Sequence, residues 1–247
     1  MGKQRCFMRL SLLLLAAGLG LVPGAGWALN LQPEDLVYAV DVAVFKDAAR
    51  VTVSFKGTGN NVYEAEIDGA VQGFAGLFTG RRRDRFRSRM SFTEGRLKPL
   101  YYSEEVWRRG RYRRREYHFD RANGRLELWT AEGMGPARLK WQTDLRQTVY
   151  DPVSALYNLR AGTLGAIRAG ESLVVPGLPY PRPEDIIFRI GPQQEGRQKV
   201  AMQVRQGASG DELETLYLLF DRYWVPVAAW TWLGAFGKVS GRLTAGP

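Results

Sequence analysis

The chain contains one histidine, His118, and one cysteine, Cys6, so chemistry that needs two imidazoles or a thiol has little to work with. A two-histidine zinc site and an H-E-x-x-H helix are absent, and a Ser-His-Asp arrangement would have to use this single ring. His118 sits between Tyr117 and Phe119 in a stretch that reads as a strand, the setting of an ordinary strand histidine. No G-x-S-x-G elbow and no phosphate-cradling G-x-x-x-x-G-K occurs. Two carboxylates across a cleft could cleave a glycosidic bond, and Glu64, Glu66, Glu104, Glu105 and Asp221 are the candidates. Each has a simpler reading as a solvated strand face, a cross-strand partner or a turn residue. The expectation is therefore no catalytic residue, no metal, no cofactor, and a protein that is not an enzyme.

Two other clusters could bind rather than react. "WRRGRYRRREYHFD" places six arginines in the eight positions from Arg108 to Arg115. With Arg109 and Gly110 as a two-residue turn, Trp107 faces Tyr112, Glu105 faces Arg114 and Glu104 faces Arg115, which matches part of the charge internally. Arg108, Arg111 and Arg113 stay unpaired in this scheme and are the candidate contacts to an anion or an acidic partner. Charge reversal at Arg113 and Arg114 is expected to leave folding nearly intact. The second cluster is "YDPVSALYNLRAG". Asp151 can cap a helix whose first position suits Pro152, and Gly162 ends it. Asp151, Ser154, Tyr157 and Arg160 either line a polar site or, as expected here, serve the structure, with Asp151 capping, Tyr157 packing on a sheet and Arg160 pairing with a carboxylate or the helix end.

The elements that must position these clusters are mostly strands. In "RVTVSFKG", Val51, Val53 and Phe55 alternate with Thr52, Ser54 and Lys56; "VYEAEIDG" puts Glu64, Glu66 and Asp68 opposite Tyr63, Ala65 and Ile67. "RRRDRFRSRMSF" does the same with Arg85, Arg87 and Arg89 outside and Phe86, Ser88, Met90 and Phe92 inside. "FDRANGRLELW" turns at Asn123 and Gly124 and brings Tyr117 and Phe119 onto the face of Leu126 and Leu128. Residues 131 to 144 read as a connecting segment. Pro176, Pro179, Pro181 and Pro183 exclude a central strand around them, and "DIIFRIG", "RQKVAMQVRQ", "ELETLYLLFD", "VPVAAWTWLG" and "GKVSGRL" follow as strands. The expected fold is mainly β (α+β): a curved antiparallel sheet or partly open barrel of about ten to twelve strands with one or two short helices.

The opening "MGKQRCFMRLSLLLLAAGLGLVPGAGWALN" has the order of a secretory signal peptide: positive residues, an apolar run from Leu10 to Val22 too short to span a bilayer, then small residues. Cleavage is expected after Ala28, leaving one β-rich domain over residues 29–247 in the periplasm. Removing residues 1–28 takes three of the 35 basic residues and none of the 25 acidic ones, so the net charge of the remaining 219 residues is 32 minus 25, or +7. Cys6 leaves with the leader, so no disulfide is expected. In that compartment the basic surplus points to anionic envelope components and not to nucleic acid.

"FDRANGRLE", "YDPVSALYNLR", "FDRYWVPV" and "GKVSGRL", in this order behind a leader, resemble the exported bacterial proteins called domain of unknown function 3108. "GFAGLFTGRRRDRFRSRMSFTEGRLKP" is similar as well, and the likeness spans roughly residues 36 to 243. Its most specific piece is Asp151, Pro152, Ser154, Ala155, Tyr157, Leu159 and Arg160. The chain departs at "YAVDVAVFKDAAR", where the family commonly has a glycine turn and this sequence has Asp47 and Ala48. The resemblance implies a β-rich envelope protein with no established activity. A more distant architectural likeness is to periplasmic lipoprotein carriers, whose curved sheet wraps a helix and holds acyl chains. Two functions follow as expectations: a binding or carrier module for an apolar or lipid-like ligand, with Trp129, Trp141, Trp224, Trp230 and Trp232 available as walls; or an envelope interaction protein docking its arginine hairpin on a polyanion or acidic partner.

Overall fold

The computed structural model describes residues 31–73, 81–178, 184–205, 213–232 and 237–246. The expected leader with its Ala28 junction lies outside the described residues, as do Pro179, Pro181 and Pro183.

Alternating sequences give alternating faces here almost throughout. The strands are β1 (Glu34–Val42), β2 (Phe45–Gly59), β3 (Val62–Val71), β4 (Arg83–Thr93), β5 (Arg96–Arg108), β6 (Arg111–Asp120), β7 (Arg125–Glu132) and β8 (Arg138–Asp144). Helix α1 (Pro152–Arg160) follows, then β9 (Ser172–Gly177), β10 (Glu184–Gln194), β11 (Arg197–Arg205), β12 (Leu213–Phe220), β13 (Pro226–Trp232) and β14 (Lys238–Ala245). All fourteen strands form one antiparallel sheet in the order β8-β7-β6-β5-β4-β3-β2-β1-β14-β13-β12-β11-β10-β9. Each strand pairs with its sequence neighbour, and the first and last strands join mid-sheet through Val42 opposite Val239. The sheet is not closed: β8 and β9 are its two edges, and the chain between them carries α1.

Two expectations need correction. Residues 138–144, read as connecting chain, are edge strand β8, whose mixed exposure leaves no clean alternation to see. The strand count exceeds ten to twelve because of such short edges. The departure at Asp47 also has a structural reason. The β1–β2 turn sits earlier, at Ala43 and Val44, with Ala43 at φ 50°, while Asp47 occupies a left-handed position at φ 49° inside a register shift. An aspartate tolerates that conformation, and Asp41 holds it by accepting from the Asp47 N–H at 2.9 Å.

The concave side of the sheet is the core. Leu36 and Tyr38 of β1, Val51, Val53 and Phe55 of β2, Phe86 and Met90 of β4, and Phe188, Met202 and Leu218 from the other half are all buried there. Helix α1 fills the space between them: every residue from Pro152 to Leu159 is buried, and the Tyr157 ring stacks on Phe55 at 4.3 Å. The approach to α1 is fastened to the edge strand. Tyr150 N–H donates to the Pro176 carbonyl, and Leu178 N–H donates to the Tyr150 carbonyl. Gly177 lies between them because a Cβ there would fall 2.3 Å from Ile186 Cγ1. On the convex side the acidic face of β3 and the basic face of β4 are each other's partners. Asp68 receives Arg83 and Arg85, and Glu66 receives Arg87 at 2.6 Å.

Candidate functional site

The polar residues of α1 do not converge on a cavity; they fan out to separate strands. Asp151 caps the helix by accepting from the Val153 and Ser154 N–H groups, each at 2.9 Å, and from the Ser88 hydroxyl of β4 at 2.8 Å. Burial pushes the Asp151 carboxyl up to about 6, against the pull of those donors. Asn158 works like a strand pairing in side-chain form: its carbonyl accepts from Leu97 N–H and its amide donates to Leu97 C=O. At the other end Arg160 donates to Glu34 of β1 at 3.2 Å and to the Trp224 carbonyl at 2.7 Å, while the Tyr157 hydroxyl donates to Glu34 at 2.9 Å. Burial pulls the Arg160 guanidinium below its ordinary value, and Glu34 pulls it back.

The arginine hairpin has the register its sequence requires. Arg109 and Gly110 form the turn with φ 49° and 73°, and Trp107 opposes Tyr112, Glu105 opposes Arg114, and Glu104 opposes Arg115. Directly opposed residues share a face. Trp107 and Tyr112 therefore lie on the convex side, where Arg83 and Arg85 approach the Trp107 ring at 5.6 and 5.7 Å. The other phase belongs to the concave side. Tyr102 and Tyr117 are its buried tier; above them come Glu104 with Arg115, then Val106 with Arg113 and Glu132, and at the tip Arg108 with Arg111.

The three arginines singled out from sequence thus share one face and line one cleft of about 570 Å³ with Val106 and Glu132 of the same face. The cleft is the open mouth of the barrel-like sheet, above the end where α1 begins at Ser88. Next to it on the β4 side, Asp84 opposes Val106 in register and pairs with Arg82 at 2.7 Å in a buried ion pair. Among the described residues, the charged side chains that line the cleft are Arg108, Arg111, Arg113 and Glu132. Arg113 corrects its reading as an unpaired tip residue. It is half-buried, faces Glu132 in register, and is pulled below its ordinary value by burial first, then by Arg115 and Arg82, against Glu104 and Glu132.

Three of the five candidate acids, Glu66, Glu104 and Asp221, are otherwise engaged. Asp221 accepts from Tyr223 and Val225 N–H groups within its own turn, and Glu104 receives Arg115 at 3.4 Å. His118 is on the convex face beside Tyr101, away from the cleft. Among the described residues no group of three or more His, Cys, Asp or Glu side chains could hold a metal ion. Of the tryptophans offered as pocket walls, Trp141 and Trp224 are partly buried and pack against the core, Trp129 and Trp230 are partly buried on the convex face opposite Glu116 and Tyr217, and Trp232 is exposed.

Sequence reasoning missed Glu34, Arg82, Asp84, Asn158 and Glu132. A signal existed for two of them: Glu34 is in phase with Leu36 and Tyr38, and Asp84 with Phe86 and Ser88, so each is a charge on a strand's dry face.

A family model described as protein of unknown function (DUF3108) matches residues 37–195. The chain belongs to this family. The matched region of this DUF3108 protein carries the arginine hairpin and α1 and ends before "FDRYWVPV" and "GKVSGRL". Among solved structures it is similar to a β-barrel-like protein of domain of unknown function DUF1849 from Brucella abortus, with a TM-score of 0.56 at 12% identity, over 89% of this chain and 99% of that one. That likeness is one of fold. No curated protein matches the sequence.

Proposed function

We propose that this protein is an exported, non-enzymatic binding module of the cell envelope that takes an anionic ligand or an acidic segment of a partner into its arginine-lined mouth. The observation that carries this reading is the convergence of Arg108, Arg111 and Arg113 on one concave cleft, whose described lining includes one carboxylate, Glu132. Guanidinium forks hold phosphate and carboxylate groups bidentately, and more strongly where water is partly excluded. The leader supports export. The alternative of an apolar cargo inside the sheet has less support, because α1 and its cluster occupy the concave space in which an acyl chain would lie.

The test is native mass spectrometry of the protein purified gently from the periplasm, with extraction of whatever is bound. An anionic molecule or acidic peptide, lost in R111Q/R113Q, is the expected result. A stoichiometric lipid unaffected by R111Q/R113Q would overturn the reading in favour of an apolar carrier.

A further inference from the structure

The convex face differs sharply between the two halves of the sheet. On β3 and β4 the charges of Glu66, Asp68, Arg83, Arg85 and Arg87 are matched across strands. On β11 to β14 the same face carries Tyr217 opposite Trp230, with rings 5.5 Å apart and nearly parallel, and Trp232, whose ring meets Tyr217 edge-on at 5.6 Å. Trp232 is 54% exposed. Leu219 and Ala228 extend the apolar strip in register. Around it lie ammonium groups: Lys199 is 5.0 Å from the Tyr217 ring centroid and 5.5 Å from that of Trp230, and Lys238 is 5.5 Å from Trp230. No carboxylate lies within ion-pairing distance of either lysine among the described residues.

We propose that this face, centred on Tyr217, Trp230 and Trp232 between Lys199 and Lys238, docks on the surface of a bilayer containing anionic phospholipid. Tryptophan and tyrosine partition to the headgroup level because one part of the ring system is apolar and another makes hydrogen bonds. Lysines lay their stems along apolar surface and keep their ammonium groups at the phosphates. The charge complementarity favours lipid over sugar as the occupant. Sugar hydroxyls need carboxylates and free amides to hold them, whereas this face offers two ammonium groups, and the Gln203 amide among its described residues is engaged by Arg189 and Thr215. The face is also distinct from the mouth, which opens on the concave side of the other half.

The experiment is flotation of the purified protein with phosphatidylethanolamine–phosphatidylglycerol vesicles and with phosphatidylcholine vesicles, read with tryptophan emission. Binding to the anionic vesicles with a blue shift, falling as salt rises from about 0.05 M to about 0.5 M, is expected. K199Q/K238Q should weaken it on the order of 30-fold, from about 1 kcal/mol per lysine near an anionic surface. W232A should weaken it further and remove most of the blue shift, and R111Q/R113Q should leave it intact. Both surface variants keep their core contacts, and an unchanged circular dichroism spectrum checks that they fold. No binding to anionic vesicles would overturn the proposal. So would binding that survives K199Q/K238Q and W232A but is lost in R111Q/R113Q, which would move headgroup recognition to the mouth. Face-dependent binding to an acidic polysaccharide, without vesicle binding, would overturn it in favour of a glycan.

Discussion

Replacing Arg160 with methionine tests whether the family-like helix motif is an internal fastening. The guanidinium is 8% exposed and its partner Glu34 is 2% exposed in the side chain. Arg160 ties α1 to β1 through Glu34 and to the segment before β13 through the Trp224 carbonyl. R160M keeps most of the stem volume and removes the charge, so the buried Glu34 carboxylate loses its counter-ion. Breaking one side of a buried pair costs about 3 to 5 kcal/mol, which for a chain of this length is a fall in Tm of roughly 6 to 20 °C.

The decisive comparison is the double variant E34Q/R160M. Glutamine keeps an acceptor for the Tyr157 hydroxyl while removing the buried negative charge, so most of the R160M loss should return and the two changes should be non-additive by more than about 1 kcal/mol. Urea unfolding followed by tryptophan emission measures all four proteins. An R160M variant destabilised by less than about 1 kcal/mol, or strictly additive changes, would refute the reasoning and leave Arg160 free to meet a ligand.

The Asp151 carboxyl, raised by burial from 3.8 to about 6, makes the folded state hold its proton more tightly than the unfolded chain. This group therefore contributes a loss of stability as pH rises from about 4 to about 7, on the order of 3 kcal/mol; D151N keeps a capping oxygen and should flatten that part of the urea-midpoint profile. Asp41 and Asp68 are lowered, so their contribution runs the other way and is lost as pH falls below about 4. G177A should destabilise by about 1 to 3 kcal/mol through the clash with Ile186, and I186A, costly in the native chain because Ile186 is fully buried, should cost less in the G177A chain when thermal melts are compared. R109N should stabilise slightly, since asparagine accepts the left-handed first turn position better than arginine. R113E should destabilise more than R114E, because it sets a third carboxylate beside Glu104 and Glu132; equal melting temperatures would contradict the buried placement of Arg113.

Whether an interaction is periodic along the chain or only proximal in space decides how much of it the sequence reveals. Strand alternation and turn chemistry are local, so the β5–β6 register, the start and stop of α1 and the mainly β fold are legible in the residues alone. The sharing of one cleft by Arg108, Arg111 and Arg113 is implicit in the same register, since opposed residues and every second residue share a face. The dry side of that register is not identifiable near the tip, where Tyr102 and Tyr117 give way to arginines on the same face. Glu34 and Arg160 are 126 positions apart, and only the tertiary fold brings the start of β1 to the end of α1. The ion-paired ladder of β3 and β4 looks like two solvated faces when each strand is taken alone. Pairing the strands turns the charges of one half of the convex surface inward on each other, and on that surface it leaves the aromatic face with Lys199 and Lys238 as the part that, in our proposal, meets an anionic bilayer.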